Sequence, residues 1–537
     1  MATASARESV APPTHVRAAL VATAVSCMLL TICSVLIPQG LYTDPAWQLK
    51  ALQQWRSGQS PSLNTLVQPD SSDLSQNRAS WISWWSLSVP VLASPLLALG
   101  LSIGSAIRVL SLIGLVSGSF GWTFWSSKFL SQKFLLPTLA GLFPFLHYAV
   151  QPLFYFSAES FVFAGVPWVL LAVSEAAKSD SMLVLLLTGM FAGSLYFLKY
   201  SAVFVTAGCC FFLFLRKHAF PRVVPAIGAS LPILALTLLN RHMGAAGNLV
   251  LASIGFHFDW RAVLAASGNP SLIVADLDAV LRRVLFFPSH QVLNSELWLP
   301  AIGMLGSLWI YWLIASKKTR SEASMLAITV FATGLISLLV VWIISLGASL
   351  EARHLAGCTL PLLPFVVAEV NGNRGLAHML MAAVFIAAPL TYGPITLVPK
   401  IFRQKRVTPG STGVYNATLA TADVRPVLSF LSSVYDRNSD VWYLPDPVSS
   451  LDIHGRAVIR SAAFTEVPLL EAERFLNCKP MRALLLLSPD LERSGRADVI
   501  RHSFVNAEGW TVRPIPGSPY HLWITNLRAK CAHAEGR

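Results

Sequence analysis

The chain has 537 residues, 54% of them hydrophobic and only 12% charged, with a mean hydropathy of +0.57. A soluble domain carries about 25% charged residues, so an ordinary soluble enzyme, a disordered chain and a disulfide-stapled mini-domain are excluded; the long apolar runs also exclude a β-barrel. The net charge of +13 does not point to nucleic acid, because most basic residues sit at the ends of apolar runs and no Lys/Arg cluster with interleaved aromatics occurs.

A spanning helix needs about 20 mostly apolar residues. In chain order, spans are expected at 16–37, 106–127, 133–151, 160–177, 181–198, 199–215, 222–239, 297–315, 323–346, 355–370 and 376–398. The first is too long for a signal-peptide core and no small-residue cleavage site follows it, so it reads as an uncleaved anchor. A twelfth apolar run, 81–101, carries Trp81, Trp84 and Trp85 at one end and Pro90 and Pro95 within it. With a cytoplasmic N-terminus, as Arg7 and Arg17 favour, counting that run as a span puts Lys178, Arg216–Lys217 and Lys317–Lys318–Arg320 outside. Leaving it out puts them inside, with Lys128, Lys133 and Arg374. The positive-inside rule prefers the second arrangement, and tryptophans and prolines suit an interface better than a span. Residues 81–101 are therefore read as an interfacial or re-entrant element on the outer face; a twelfth span is the plain alternative.

The expected fold is an α-helical polytopic membrane protein with about 11 spans, that outer-face element and a C-terminal α/β domain. Residues 1–399 form the transmembrane part, with outer loops 38–105 and 240–296 and short outer turns at 152–159 and 346–354. From about residue 400 the composition changes. VWYLP (441–445), ALLLLSP (483–489) and HLWIT (521–525) read as strands, and 424–436 and 490–503 as helices. On the same topology the domain 400–537 is extracytoplasmic, although Lys400, Arg403, Lys405 and Arg406 at its start pull the other way. It holds no phosphate loop or nucleophile elbow, and reads as a lid or docking module. Of seven cysteines, Cys27, Cys33, Cys209, Cys210 and Cys358 read as apolar core; Cys478 and Cys531 can pair only in an oxidising compartment.

Ionisable groups at membrane depth are costly, which makes each a candidate for function. Asp44, in YTDPAWQL, follows the first span; it is either a helix N-cap or a general base at the outer edge of the bilayer. Glu159, in YFSAESF, sits in a short turn on the same side, where a helix N-terminus also favours a carboxylate. Lys199, in YFLKYSA, either snorkels or meets a lipid phosphate. In LEARHLAG, Arg353 offers a fork for phosphate, His354 an acid/base group or a plain interfacial residue, and Glu351 a local partner for Arg353. The 240–296 loop adds His257, Asp259, Arg261, Arg282, Arg283, His290 and Glu296. His257 and Asp259 without a third ligand make no metal site, so a substrate contact or an ordinary loop is the better reading.

Taken in order, these pieces resemble the membrane-embedded GT-C glycosyltransferases, among them protein O-mannosyltransferases and lipid A aminoarabinose transferases. The resemblance rests on Asp44 after the first span, GLSIGSAIRVLSLIG (100–114), Glu159 in YFSAESF, GSLYFLKYSA (193–202) and Arg353–His354, and covers roughly 16–400. It implies a polyprenyl-phosphate-linked sugar as donor and a hydroxyl on a lipid, glycan or protein as acceptor. Asp44 would be the base. Arg353 and Lys199 would hold the donor phosphate. Glu159 would orient the acceptor or hold a divalent cation, and His354, Glu351 and His257 would contact substrate. Membrane lipids are the surroundings and nucleic acid is not a partner; the compact loops and the lack of organelle signals favour a bacterial inner membrane, with an endoplasmic reticulum membrane as the alternative. The competing readings are a surface-polysaccharide polymerase or ligase and, further off, a transporter or flippase. The candidates here cluster at span ends, and no internal repeat is visible, unlike a transporter.

Overall fold

The computed structural model describes residues 13–64, 68–70, 73–78, 80–82, 85–243, 258, 260–274, 292–316, 320–344, 352–372, 375, 376, 380, 383, 398–416, 419, 423–460 and 475–529. Its first helix, α1 (Thr14–Val35), shows how the membrane part is assembled. Ala19, Thr23, Cys27, Leu30 and Ser34 are buried, at the three- and four-residue spacing of one helical face. Val21, Val25, Met28, Leu29 and Ile32 on the other side stay exposed, as lipid-facing residues do.

The chain then forms strand β1 (Gln39–Leu41), helix α2 (Thr43–Arg56), a short hairpin of β2 (Gln68–Pro69) and β3 (Asn77–Arg78), and helix α3 (Ser88–Ala98). Helix α3 has 11 residues, about 16 Å of rise, well short of the roughly 30 Å hydrocarbon core. The 81–101 run is thus not a spanning helix. Gly100, with φ +85°, turns the chain from α3 into α4 (Ile103–Ser126). The span expected at 133–151 is not one helix. It is α5 (Leu135–Leu142), a 3-10 turn at Phe143–Phe145 and α6 (His147–Phe154), broken where Pro144 enters the turn and Leu146 is extended (φ −58°, ψ 144°).

After β4 (Tyr155–Phe156) come α7 (Glu159–Ala176), α8 (Met182–Leu198), α9 (Val203–Arg216) and α10 (Val224–His242). Small residues let these helices approach. A Cβ on Gly118 would lie 2.3 Å from Phe163, seating α4 on α7, and one on Gly189 would lie 2.1 Å from the Pro225 carbonyl, seating α8 on α10. The 240–296 segment, expected as an outer loop, contains α11 (Trp260–Val274). Its Gly268 packs on Pro300 of α12 (Val292–Ser316), which starts five residues before the span expected at 297–315. Helices α13 (Glu322–Ile344), α14 (Ala356–Thr359) and α15 (Leu363–Gly372) follow. The eleventh expected span, 376–398, lies almost wholly outside the described residues. Among those residues, five helices are long and apolar enough to cross a membrane: Thr14–Val35, Ile103–Ser126, Glu159–Ala176, Phe220–His242 and Glu322–Ile343.

The C-terminal region begins with α16 (Val398–Lys405) and β5 (Val414–Tyr415), then α17 (Arg425–Val434), β6 (Asp440–Leu444), α18 (Ser449–Asp452), β7 (Ala457–Ile459), β8 (Met481–Leu487), α19 (Pro489–Arg493), α20 (Arg496–His502), β9 (Thr511–Pro514) and β10 (His521–Leu527). Its sheet has the order β7-β6-β8-β10-β9, with β7, β6 and β8 parallel and β10 and β9 antiparallel. Alternate residues face two cores, Val441 and Tyr443 toward Ile500 and Phe504, Trp442 and Leu444 toward Val427 and Leu431. The expected helix 490–503 is two short ones, because Gly495 adopts φ +75° between them. Cys531 lies outside the described residues, so the expected pair with Cys478 does too.

Several contacts join this domain to the membrane part, among them the burial of Leu74 in its core, the Leu74 N–H donating to the Leu476 carbonyl (2.7 Å), and two contacts near the start of α2. Strand β1 lies between β4 and β5 in a three-stranded parallel sheet, Gly40 facing Tyr155 on one side and Tyr415 on the other. Helix α18 sits on α2, where the buried Lys50 amine donates to the Ser450 carbonyl (2.5 Å) and Gln53 donates to the Leu451 carbonyl (3.2 Å).

Candidate active site

The parallel sheet sets the site by register. Leu41 pairs with Phe156, and three residues further on each strand lies a carboxylate, Asp44 and Glu159. Both chains turn into helices there, so both carboxylates fall in a first helical turn, where helix N-termini favour negative charge. Asp44 is not the N-cap, as expected from the sequence; Tyr42 holds that position, and its N–H donates to the Phe156 carbonyl at 3.1 Å.

Lys199 lies where α8 stops. Its extended backbone (φ −160°, ψ 134°) separates α8 from the 3-10 turn Tyr200–Ala202 and from α9. Its amine donates to the Glu159 carboxylate rather than reaching an open headgroup layer. Arg353 comes from a 3-10 turn, Ala352–His354, just before α14. Its guanidinium lies 3.6 Å from Asp44 Oδ2 and 3.6 Å from Glu159 Oε1. Four of the residues singled out in the sequence, Asp44, Glu159, Lys199 and Arg353, thus form one cluster of two carboxylates and two cations, and His354 adjoins it. Glu351 and His257 lie outside the described residues, as do Asp259, Arg282, Arg283, His290 and the side chain of Glu296.

No protein-family model matches this chain, and no curated protein does. Among solved structures it is similar to a crystal structure of ArnT from Cupriavidus metallidurans bound to undecaprenyl phosphate. The two are 9% identical over 96% of this chain and 99% of that chain, with a TM-score of 0.49.

The cluster is asymmetric in its access. The Asp44 side chain is 43% exposed and that of Glu159 only 12%, so an incoming polar group meets Asp44. Glu159, Lys199 and Arg353 instead line a narrow cavity whose other walls are Trp122, Tyr148, Val162, Phe163, Ala356, Gly357 and Leu360. Trp122 and Tyr148 were not singled out in the sequence. Trp122 donates its indole N–H to the Phe163 carbonyl (3.0 Å), which holds the ring as a wall. Gln151, one polar residue in an apolar stretch, donates to the Tyr42 hydroxyl beside Asp44 and was equally missed.

His354 is half-buried. Burial above all, then the charges of Lys199 and Arg353, push its imidazole down to about 3, against an upward pull from Glu159. It is neutral near pH 7 and adds no charge to the cluster. The Arg353 guanidinium lies 3.6 Å from both the Asp44 and Glu159 carboxylates, so in this arrangement a cation already stands between them. Among the described residues no three of His, Cys, Asp and Glu are grouped as metal ligands.

Proposed function

We propose that this protein is a membrane glycosyltransferase that moves a sugar from a polyprenyl-phosphate donor to an acceptor hydroxyl at the outer face of the membrane. The observation that carries this reading is the single cluster in which Arg353 bridges Asp44 and Glu159 while Lys199 pairs with Glu159. The ordered motifs that resemble GT-C enzymes support it as well.

The chemistry follows from the roles those groups can fill. The donor phosphate enters beside Arg353 and Lys199, which bind it through charge-assisted hydrogen bonds. The acceptor hydroxyl approaches Asp44, the more exposed carboxylate, and gives it a proton as its oxygen bonds to the anomeric carbon. The bond from that carbon to the phosphate oxygen breaks, and its electron pair leaves on polyprenyl phosphate. The two cations stabilise the developing charge. A single displacement through an oxocarbenium-like state inverts the anomeric centre. Glu159, held by Lys199 and Arg353, keeps both cations in place until the phosphate arrives. The domain 400–537 lies on the side of the site, and we read it as extracytoplasmic and as a docking module. A bacterial inner membrane is the proposed location.

The phosphate half of this reading is tested by polyprenyl-phosphate binding to the full-length protein in liposomes. Arg353→Ala should weaken binding at least about tenfold, the loss of one charge-assisted contact. Binding that is indifferent to both Arg353→Ala and Lys199→Ala would remove the phosphate site from this cluster.

A further inference from the structure

Helix α8 ends just before Lys199, which leaves the Leu198 carbonyl at a helix C-terminus without an intrahelical donor. Two serines meet it. Ser86 and Ser88, both buried, donate their hydroxyls to this one carbonyl at 2.8 Å each and lie 3.1 Å from one another. On the other side of Lys199, the Tyr200 hydroxyl accepts from Asn240 Nδ2 (3.1 Å), and Asn240 Oδ1 accepts from the Trp81 indole (2.9 Å). The Tyr200 ring packs on Tyr196 at 4.8 Å. Both sequence neighbours of Lys199 are therefore tied to the same outer-face segment, the one that leads into α3.

We infer that the segment carrying Trp81, Ser86 and Ser88 is a brace that fixes the Lys199 backbone and so aims its amine at the Glu159 carboxylate. Ser86, Ser88 and Asn240 are positioning residues that act through Lys199. A lysine side chain has four rotatable bonds, and the Lys199 backbone keeps one bond on each side, its N–H donating to the Leu195 carbonyl (3.0 Å) and its carbonyl accepting from the Ala202 N–H (3.0 Å). The brace adds anchors for the adjoining Leu198 carbonyl and Tyr200 side chain. The catalytic consequence rests on the proposed role of Lys199 toward phosphate; the brace itself does not.

Trace acetylation of lysines in the full-length protein, reconstituted in liposomes and read by mass spectrometry, tests the brace without any substrate. In Ser86→Ala/Ser88→Ala, Lys199 should label at least about fivefold faster as its pairing loosens, with the surface residue Lys128 as an unchanged reference. Asn240→Leu should move labelling the same way, and Ser86→Thr, which keeps a hydroxyl, should not. Unchanged Lys199 labelling in both the double-serine and Asn240 variants would overturn the inference. With a donor in hand, the double-serine variant should lose about 10–100-fold in kcat/KM. The same change in a Lys199→Gln background should lose less than about twofold, since the serines act through that lysine. Additive losses would overturn it. Faster labelling alongside a wild-type protein that transfers no sugar would uphold the brace and sink the transferase reading.

Discussion

At the scale of single residues, the site is legible in the sequence because the membrane makes charge expensive. Asp44, Glu159, Lys199 and Arg353 stand out as ionisable groups at the ends of apolar runs, and all four meet. Their pairing is not legible. Nothing in YFLKYSA says that Lys199 serves a carboxylate 40 residues earlier, and nothing in LEARHLAG says that Arg353 serves Asp44, more than 300 positions away. The two contacts also differ in weight. The Arg353–Asp44 contact is loose and partly exposed, the kind that contributes about 0–1 kcal/mol. The Glu159–Lys199 pair is mostly shielded, so deleting one partner strands the other charge. Asp44 is thus the more exposed and more loosely held carboxylate, and Glu159 the one tied to both cations.

At the scale of elements, the helices were largely readable and the small sheet was not. Apolar length places α1, α4, α7, α10 and α13 because each must satisfy its own backbone in lipid. The break within 133–151 escaped because its composition stays apolar while Pro144 and Leu146 change only the backbone. Strands of two or three residues carry no periodicity, yet β1 decides where Asp44 and Glu159 meet. Gly40 is the tightest point of that sheet: a Cβ there would lie 2.7 Å from the Phe154 carbonyl and from the Tyr155 ring. Gly40→Val should therefore force β1 and β4 apart and shift the two carboxylates by a fraction of an ångström or more. Transfer activity should fall about 100-fold, a typical result of roughly 1 Å of misplacement, while the protein still reconstitutes. Full activity in Gly40→Val would show that the register does not set the site.

At the scale of the whole molecule, three strands of the C-terminal domain were visible as VWYLP, ALLLLSP and HLWIT, because β6, β8 and β10 are the longer, largely buried runs of five to seven residues. The edge strands β7 and β9 were missed; β9 is exposed throughout and three residues suffice for β7. How the domain docks could not be read either, since the contacts join residues about 400 apart. The docking is chemically distinctive. Burial pushes the Lys50 amine down to about 8, against an upward pull from Asp452. The unfolded lysine titrates near 10.4, so between about pH 8 and 10 the unfolded chain binds a proton that the folded one has released, and stability rises with pH. The Tm of the wild type relative to Lys50→Met should therefore climb from pH 8 to pH 10; a constant difference would mean that the amine is not buried in the docked state. Such a dock holds α2, and with it Asp44, against the C-terminal domain. The account as a whole stands or falls on what Asp44 does there. The measurement that tests it most directly is release of polyprenyl phosphate from a panel of polyprenyl-phosphate sugars by the protein in liposomes, with a crude acceptor extract, comparing wild type with Asp44→Asn. The account predicts release by the wild type and a loss of about 10²–10⁴-fold in Asp44→Asn, with polyprenyl-phosphate binding retained. Equal release by both proteins, or none by a well-folded wild type with any donor, would contradict it.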